Sequence, residues 1–238
     1  PWEAQAIRQV VDSTEQVLPP GAWPNYVLGN HDESRLATRY GHARSRTAAM
    51  LLLTLRGTPT LYYGDEIGMT DVPISPDQQK DPWGKRVPGL GRDTCRTPMQ
   101  WSPAANAGFS PPDVADLWLP VADDFPERNV EYHLKDPGSL LNFYRALLSF
   151  RRESAALQRG GYRAVDCVPE DCYVFLRETD DQRLLVALNL SAESRSLMLP
   201  EFGFGEVVIS TSLDSSGQVD LGALVLRGGE GVIIDRSA

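Results

Sequence analysis

Three adjacent residues, Asn30, His31 and Asp32, can do chemistry together; they follow Gly29 and a short β-type run, Asn25 to Leu28. A carboxylate beside an imidazole at the C-terminal mouth of a strand is where a (β/α)8 barrel keeps its chemistry. A fixed anion there lowers the energy of a transition state that develops positive charge more than it lowers the ground state. Arg35 and Arg39 follow at short spacing and add two cations to the same neighbourhood. A structural reading of the triplet also stands, with Asp32 as a helix N-cap and His31 as a satisfied loop histidine.

Two further stretches bear on the choice. Gly57 to Gly68 reads as a strand that ends in Tyr62-Tyr63-Gly64-Asp65-Glu66-Ile67-Gly68. Arg92 to Trp101 reads Arg-Asp-Thr-Cys-Arg-Thr-Pro-Met-Gln-Trp. Asp65 and Glu66 are expected to fix the loop rather than react. Met99 and Trp101 are expected to pack.

The elements that must hold these residues follow from periodicity. Ile7, Val10, Val11 and Thr14 form one helical stripe, which predicts a helix over 3–17. Pro19-Pro20-Gly21 ends it. Residues 43–55 predict a second helix, apolar nearly all round from Ala48 to Leu55, as for a helix inside a core. Pro59 to Tyr63 predicts a strand buried on both faces. Residues 68–138 carry 11 of the 18 prolines and read as loops, and a loop region that long is usually functional. Leu140, Leu141, Tyr144, Leu147 and Leu148 then mark a further helix. Past Gly160-Gly161 seven short β-type runs succeed one another: 162–167, 172–177, 183–190, 195–199, 206–211, 223–226 and 231–234. Seven such runs without a helix predict a small antiparallel β-sandwich. The expected division is therefore 1–158, the last part of a (β/α)8 TIM barrel with its long eighth-strand loop, and 159–238, the sandwich.

Bulk properties exclude several classes. The 238 residues carry a net charge of −9 with 42% hydrophobic content. This suits a packed core and disfavours phosphate-backbone binding, so no nucleic-acid partner is expected. Cys95, Cys167 and Cys172 are too few and too scattered for a disulfide framework, and reduced thiols are expected. His31, His42 and His133 show no metal-ligand spacing. No apolar run approaches the roughly 20 residues of a membrane span, and no membrane partner is expected. The chain opens on Pro1, which suggests a fragment whose natural start lies elsewhere.

The order of the three stretches closely resembles the α-glucosidase and oligo-1,6-glucosidase branch of the α-amylase superfamily of glycoside hydrolases. The resemblance is strongest over 24–110 and weakest in the terminal sandwich. It implies a retaining hydrolase of α-linked glucosides of maltose, sucrose or isomaltose type, with no cofactor. Such an enzyme needs a carboxylate nucleophile and a carboxylic acid about 5 Å apart, and no residue here matches either. The resemblance makes Asp32 the transition-state stabiliser and His31, Arg35 and Arg39 substrate binders, with Arg39 nearer the leaving group. Glu33 departs from the family pattern, which leaves the preference at the entrance open. For Asp93 and Arg96 two readings stand: contact with a second sugar, or pairing with each other to hold the loop.

The chain alone is accordingly expected to be inactive, and to associate with the missing N-terminal half or with another copy. A cytoplasmic location is expected. Alternatives within enzymes are trehalose synthase and sucrose isomerase, which pass the glucosyl group to a sugar hydroxyl. Outside enzymes they are a sugar-binding module and the heavy-chain subunits of amino-acid transporters.

Overall fold

The structure is a computed structural model that describes residues 2–87 and 89–237. In chain order the main elements are α1 (Ala4–Val17), β1 (Asn25–Val27), α2 (Leu36–Tyr40), α3 (His42–Thr54), β2 (Thr58–Thr60), α4 (Pro82–Arg86), α5 (Val130–Lys135), α6 (Leu140–Glu153) and α7 (Ala155–Arg159). Eight strands follow: β3 (Gly161–Ala164), β4 (Cys172–Glu178), β5 (Arg183–Asn189), β6 (Arg195–Leu197), β7 (Phe204–Ser210), β8 (Gly217–Asp220), β9 (Leu224–Leu226) and β10 (Gly231–Asp235). The chain divides into two compact units, one of residues 1–26, 46–59 and 145–238 and the other of residues 27–45 and 60–144. The helix α1, most of α3 and most of α6 fall in the same compact unit as the strands.

In the first unit, six strands form one sheet in the order β3-β4-β5-β10-β7-β8, and β6 and β9 form a second. Every strand pair in these two sheets is antiparallel. Alternation sorts the side chains onto two faces. Val174, Leu176, Leu185, Ala187 and Ile234 share one core with Leu197, Leu224 and Leu226 of the small sheet. This is the expected sandwich. The alternate residues Tyr173, Phe175, Val186, Leu188 and Ile233 are equally buried, and α1 and α7 lie against β4. Burial on both faces explains why β4 and β5 read as continuous apolar runs. The eighth strand, β8, went unforeseen because its sequence, Gly-Gln-Val-Asp, alternates polar and half-exposed residues at a sheet edge.

One buried cation knits this unit together. Arg177 has no exposed surface. Its guanidinium donates to Thr54 O at 2.6 Å, Gly160 O at 3.0 Å, Leu157 O at 3.2 Å and Gly161 O at 3.2 Å. These carbonyls include the C-terminal ends of α3 and α7, where the helix dipole is negative and backbone acceptors lack partners.

Strands β1 and β2 form a separate two-stranded sheet. Thr58 and Thr60 are exposed and Pro59 half-buried, which corrects the expectation of a strand buried on both faces. A strand in a two-stranded sheet has one neighbour only, so its faces and outer edge stay open.

In the second unit, Ile67, Met69 and Met99 form a small core with Val130 and Leu141 packed on it. Polar groups also hold the long loop region. Gln100 donates to Arg128 O at 2.6 Å and to Asp124 at 3.1 Å. The Arg128 guanidinium donates to Asp124 at 2.6 Å and to Ile67 O at 3.2 Å. Cys95 and Cys172 are buried, Cys167 is exposed, and all three are free thiols.

Candidate functional site

The site lies in the second unit and is built on Asp32. The turn that presents it is closed by its own side chains, since Asp32 N donates to Asn30 Oδ1 at 2.8 Å. This Asx-type turn is what an Asn two residues ahead favours. It leaves the Asp32 carboxylate half exposed and accepting from two guanidinium groups. Arg92 Nη1 reaches Oδ1 at 2.8 Å and Arg96 Nη2 reaches the same oxygen at 3.0 Å. His31 Nε2 lies 3.3 Å from Oδ2. Desolvation alone would raise the Asp32 carboxyl, but the Arg92 hydrogen bond and the charges of His31, Arg92 and Arg96 outweigh it and hold it below the usual carboxylate range. Asp32 is therefore a fixed anion at neutral pH. It lines a cavity of about 530 Å³ whose walls include Glu33, Asp71, Gln79, Leu90 and Arg92.

Arg92 and Asp81, which the sequence did not single out as site residues, are central to this arrangement. The Asp81 side chain is fully enclosed. It accepts Arg92 Nε at 2.8 Å, Arg92 Nη2 at 3.1 Å, the Arg92 backbone N at 2.9 Å and Trp83 N at 3.1 Å. The planar fork of Arg92 is thus seated on one carboxylate while its remaining arm reaches the other. The Arg92 hydrogen bonds hold the Asp81 carboxyl far below its usual range, and Asp81 in turn raises Arg92. The available signal was the distance of 11 residues between two opposite charges at the ends of one loop.

The other expected residues sort by depth. Arg96 faces the site, with Nε on His31 O at 2.7 Å as well as Nη2 on Asp32. Asp93 does not pair with Arg96. It is buried and accepts the backbone N–H groups of Lys80 at 2.6 Å and Asp81 at 2.8 Å. Arg39 is exposed; it donates to Leu28 O, and its guanidinium carbon lies 5.0 Å from the Tyr40 ring centre. Arg35 departs most from expectation. It has no exposed surface, donates Nη1 to Tyr63 O at 2.7 Å, and lies 5.1 Å and 4.7 Å from the ring centres of Tyr62 and Tyr63. Its own backbone N donates to Asp71 at 2.7 Å. An enclosed guanidinium bound to a carbonyl fixes loops and does not meet a sugar in this conformation. Glu66 Oε2 accepts Gly64 N at 2.8 Å, the loop-fixing role expected of it. Trp101 differs from its expected packing role, since it is 50% exposed.

Asp65 carries a separate electrostatic cost. It is buried, and among the described residues its Oδ1 accepts no hydrogen bond. A Cβ at Gly29 would stand 3.0 Å from Asp65 Oδ2, a tight contact that glycine avoids where this loop lies on the carboxylate. Burial raises the Asp65 carboxyl from 3.8 to about 6, against the opposing charge of Arg35. A carboxyl raised on folding contributes stability that is full below its unfolded pKa and is lost as pH rises through the folded one. Relative to Asp65→Asn, the chain is expected to lose on the order of 3 kcal/mol between about pH 4 and pH 7. Urea unfolding across that range checks this, and parallel curves for the two proteins would refute it.

Among the described residues no group of three or more His, Cys, Asp or Glu side chains is placed to hold a metal ion. No helix among them is long and apolar enough to cross a membrane.

Comparison with known proteins shows the family. The α-amylase catalytic domain profile matches residues 1–160. Maltase A1 of Drosophila melanogaster is 36% identical over 83% of the chain and 35% of its own length. The probable oligo-1,6-glucosidase 2 of Bacillus subtilis is 31% identical over 93% of the chain and 43% of its own length. The amino acid transporter heavy chain SLC3A1 of Rattus norvegicus is 33% identical over 97% of the chain and 34% of its own length. Among solved structures, the trehalulose synthase MutB of Pseudomonas mesoacidophila aligns with a TM-score of 0.83 at 32% identity, covering 96% of this chain and 46% of that one. The chain therefore spans between about a third and under half of the length of these relatives.

Proposed function

The chain belongs to the α-amylase catalytic-domain family, and from that premise we propose that it supplies the substrate-holding part of a retaining α-glucosidase. The observation that carries this reading is the ionised Asp32 carboxylate, held by Arg92 and Arg96 beside His31 at the wall of a cavity. In a glycosidic transition state positive charge develops on the sugar ring. A pre-ionised, pre-oriented carboxylate stabilises that charge without reorganising at the moment of reaction.

Asp32 holds ring hydroxyls at the cleavage subsite, and His31 donates to or accepts from the same sugar. Arg96 faces the leaving-group side. Arg92, Asp81, Asp93 and Arg35 position these groups. The two carboxyls that form and break the covalent bond come from outside these residues, so the chain alone does not turn over. The substrate is a neutral α-linked glucoside, and no organic cofactor takes part.

The test is release of 4-nitrophenol from 4-nitrophenyl α-glucoside, first by the purified chain and then by a full-length protein that includes it. The expected result is no turnover by the chain and α-glucose as the first-formed sugar from the full-length protein. Turnover by the chain refutes the division of labour, and β-glucose refutes retention. Two observations favour neighbouring readings. The likeness to a trehalulose synthase favours transfer to a sugar hydroxyl over hydrolysis. The 97% coverage by a transporter heavy chain favours a non-catalytic assembly role; failure of the full-length protein to cleave or bind any glucoside would support that role.

A further inference from the structure

Asp71 stands in the wall of the cavity that Asp32 lines. Its polar bonds run to one segment, 33 to 37 residues earlier in the chain. One side-chain oxygen accepts Ser34 Oγ at 2.5 Å and the other accepts Arg35 N at 2.7 Å. The Asp71 backbone N donates to Thr38 Oγ1 at 2.7 Å.

These three partners form the entry to α2, directly after the Asp32 turn. Arg35 occupies the N-cap position, and its side chain makes no cap bond there. In a capping box, a Glu or Gln at the third helical position reaches back to the N–H of the N-cap residue. The third position here is Thr38, which is too short for that role and whose hydroxyl is taken by Asp71 N. Asp71 supplies the missing bond from outside the helix. The place of α2, and of the turn that leads into it, is therefore set by a residue of another loop.

The same loop holds the other half of the site. Val72 is buried, and its N donates to Thr94 O at 2.9 Å. Thr94 lies midway between Arg92 and Arg96, the two donors to Asp32. Asp71 and Val72 thus tie together the segment that carries the carboxylate and the segment that carries its partners. The ion pairs themselves are weaker fixings, because Asp32 is 49% exposed and pairs in contact with water contribute little. A carboxylate that opposes developing charge must nevertheless be well placed, since a misplacement of about 1 Å can cost on the order of 100-fold in rate.

We propose that Asp71 is a positioning residue of this site, which acts through Asp32 by setting where that carboxylate stands against Arg92 and Arg96. The proposal rests on the reading of Asp32 as the anion that stabilises a glycosidic transition state.

The test is kinetics in the full-length protein. Asp71→Ala is expected to lower kcat/KM by roughly 10- to 100-fold, nearly all of it in kcat, as for an interaction made in the transition state. Asp71→Asn is expected to stay within about 3-fold of wild type, because an amide oxygen can accept Arg35 N–H while the amide N–H donates to Ser34 Oγ. In an Asp32→Asn background Asp71→Ala is expected to cost less than about 3-fold, since residues that act as one unit are not additive. Equal losses in the Ala and Asn variants would overturn the proposal, because Asp71 would then act by its charge. An undiminished loss in the Asp32→Asn background would overturn it too, because Asp71 would then act elsewhere.

A second readout needs no turnover. In the 238-residue chain, the Arg96 Nε–H resonance reports the bond to His31 O. The Arg92 Nε–H resonance reports the separate seat on Asp81. Asp71→Ala is expected to move the first and spare the second, and Asp71→Asn to spare both. An unmoved Arg96 signal refutes the positioning role, and loss of both signals refutes it in favour of general unfolding. A moved Arg96 signal together with a fully active Asp32→Asn variant upholds the hold of Asp71 on the turn and sinks only the reading of Asp32.

Discussion

Asp32→Asn is expected to lower kcat/KM for an α-glucoside by about 100- to 1,000-fold in the active protein, the loss typical of removing a preorganised charge-stabilising group. The substitution keeps the shape and removes the charge. Its effect has two physical parts. The first is loss of the anion that opposes developing positive charge on the sugar. The second is a weaker hold on Arg92 and Arg96, whose donors then meet a neutral amide oxygen in place of the ionised Asp32 Oδ1. Arg92 keeps its seat, because Asp81 accepts its Nε, Nη2 and backbone N. Arg96 keeps the His31 carbonyl as its firm acceptor. The variant is thus expected to fold as the wild type does and to fail in chemistry. Asp214→Asn is the matched control, as Asp214 is likewise an exposed carboxylate held by an arginine, at 2.7 Å and 2.8 Å from Arg227, but belongs to the first unit. Kinetics of both variants in the full-length protein decide the matter: equal losses would mean that Asp32 acts through general electrostatics and not as a site residue.

Arg177→Ala is expected to destabilise the chain by about 3–5 kcal/mol, the range for breaking a buried charged network. Four carbonyls lose their donor at once, two of them at the ends of α3 and α7. A buried acceptor left without a partner costs its desolvation, roughly 1–3 kcal/mol. The vacated volume adds a cavity term. Arg177→Met refills most of that volume without restoring any donor. It is expected to recover part of the loss, and the remainder measures the orphaned carbonyls. Chemical denaturation of the three proteins tests this. Values within about 0.5 kcal/mol of wild type, as for ordinary surface substitutions, would show that water replaces the guanidinium at no cost. The charge itself is costly to bury, and burial pulls the Arg177 guanidinium down to about 9. Its retention inside the unit therefore reflects the sum of four acceptors and not the charge.

Much was legible in the sequence. The helices over 3–17 and 43–55 and the strands that form the sandwich follow from periodicity, and the structure places α1, α3 and the strands β3 to β7, β9 and β10 within a few residues of those spans. Periodicity works there because one face of each element is buried and the other polar, or because an unbroken apolar run must be enclosed. The Asn30-His31-Asp32 turn is as local in origin, since an Asx turn is a preference of its own residues.

Tertiary structure alone decided which charged residues meet at Asp32 and which hold the scaffold. Arg35 and Arg39 are four positions apart on one motif, yet Arg35 is wholly enclosed by Tyr62 and Tyr63 while Arg39 is exposed. Asp93 and Arg96 bracket one short turn, yet Asp93 serves backbone N–H groups inside the loop and Arg96 reaches Asp32, 64 residues away. Asp81 and Arg92 looked like ordinary loop charges and prove to be the seat of the site. The reason is the same in each case. A charge buries or exposes itself according to the partners that close around it, and those partners come from distant parts of the chain. Residue type and spacing settle where a turn or a stripe forms. Whether its charged groups end on a carboxylate or on a carbonyl is settled only when the loops meet.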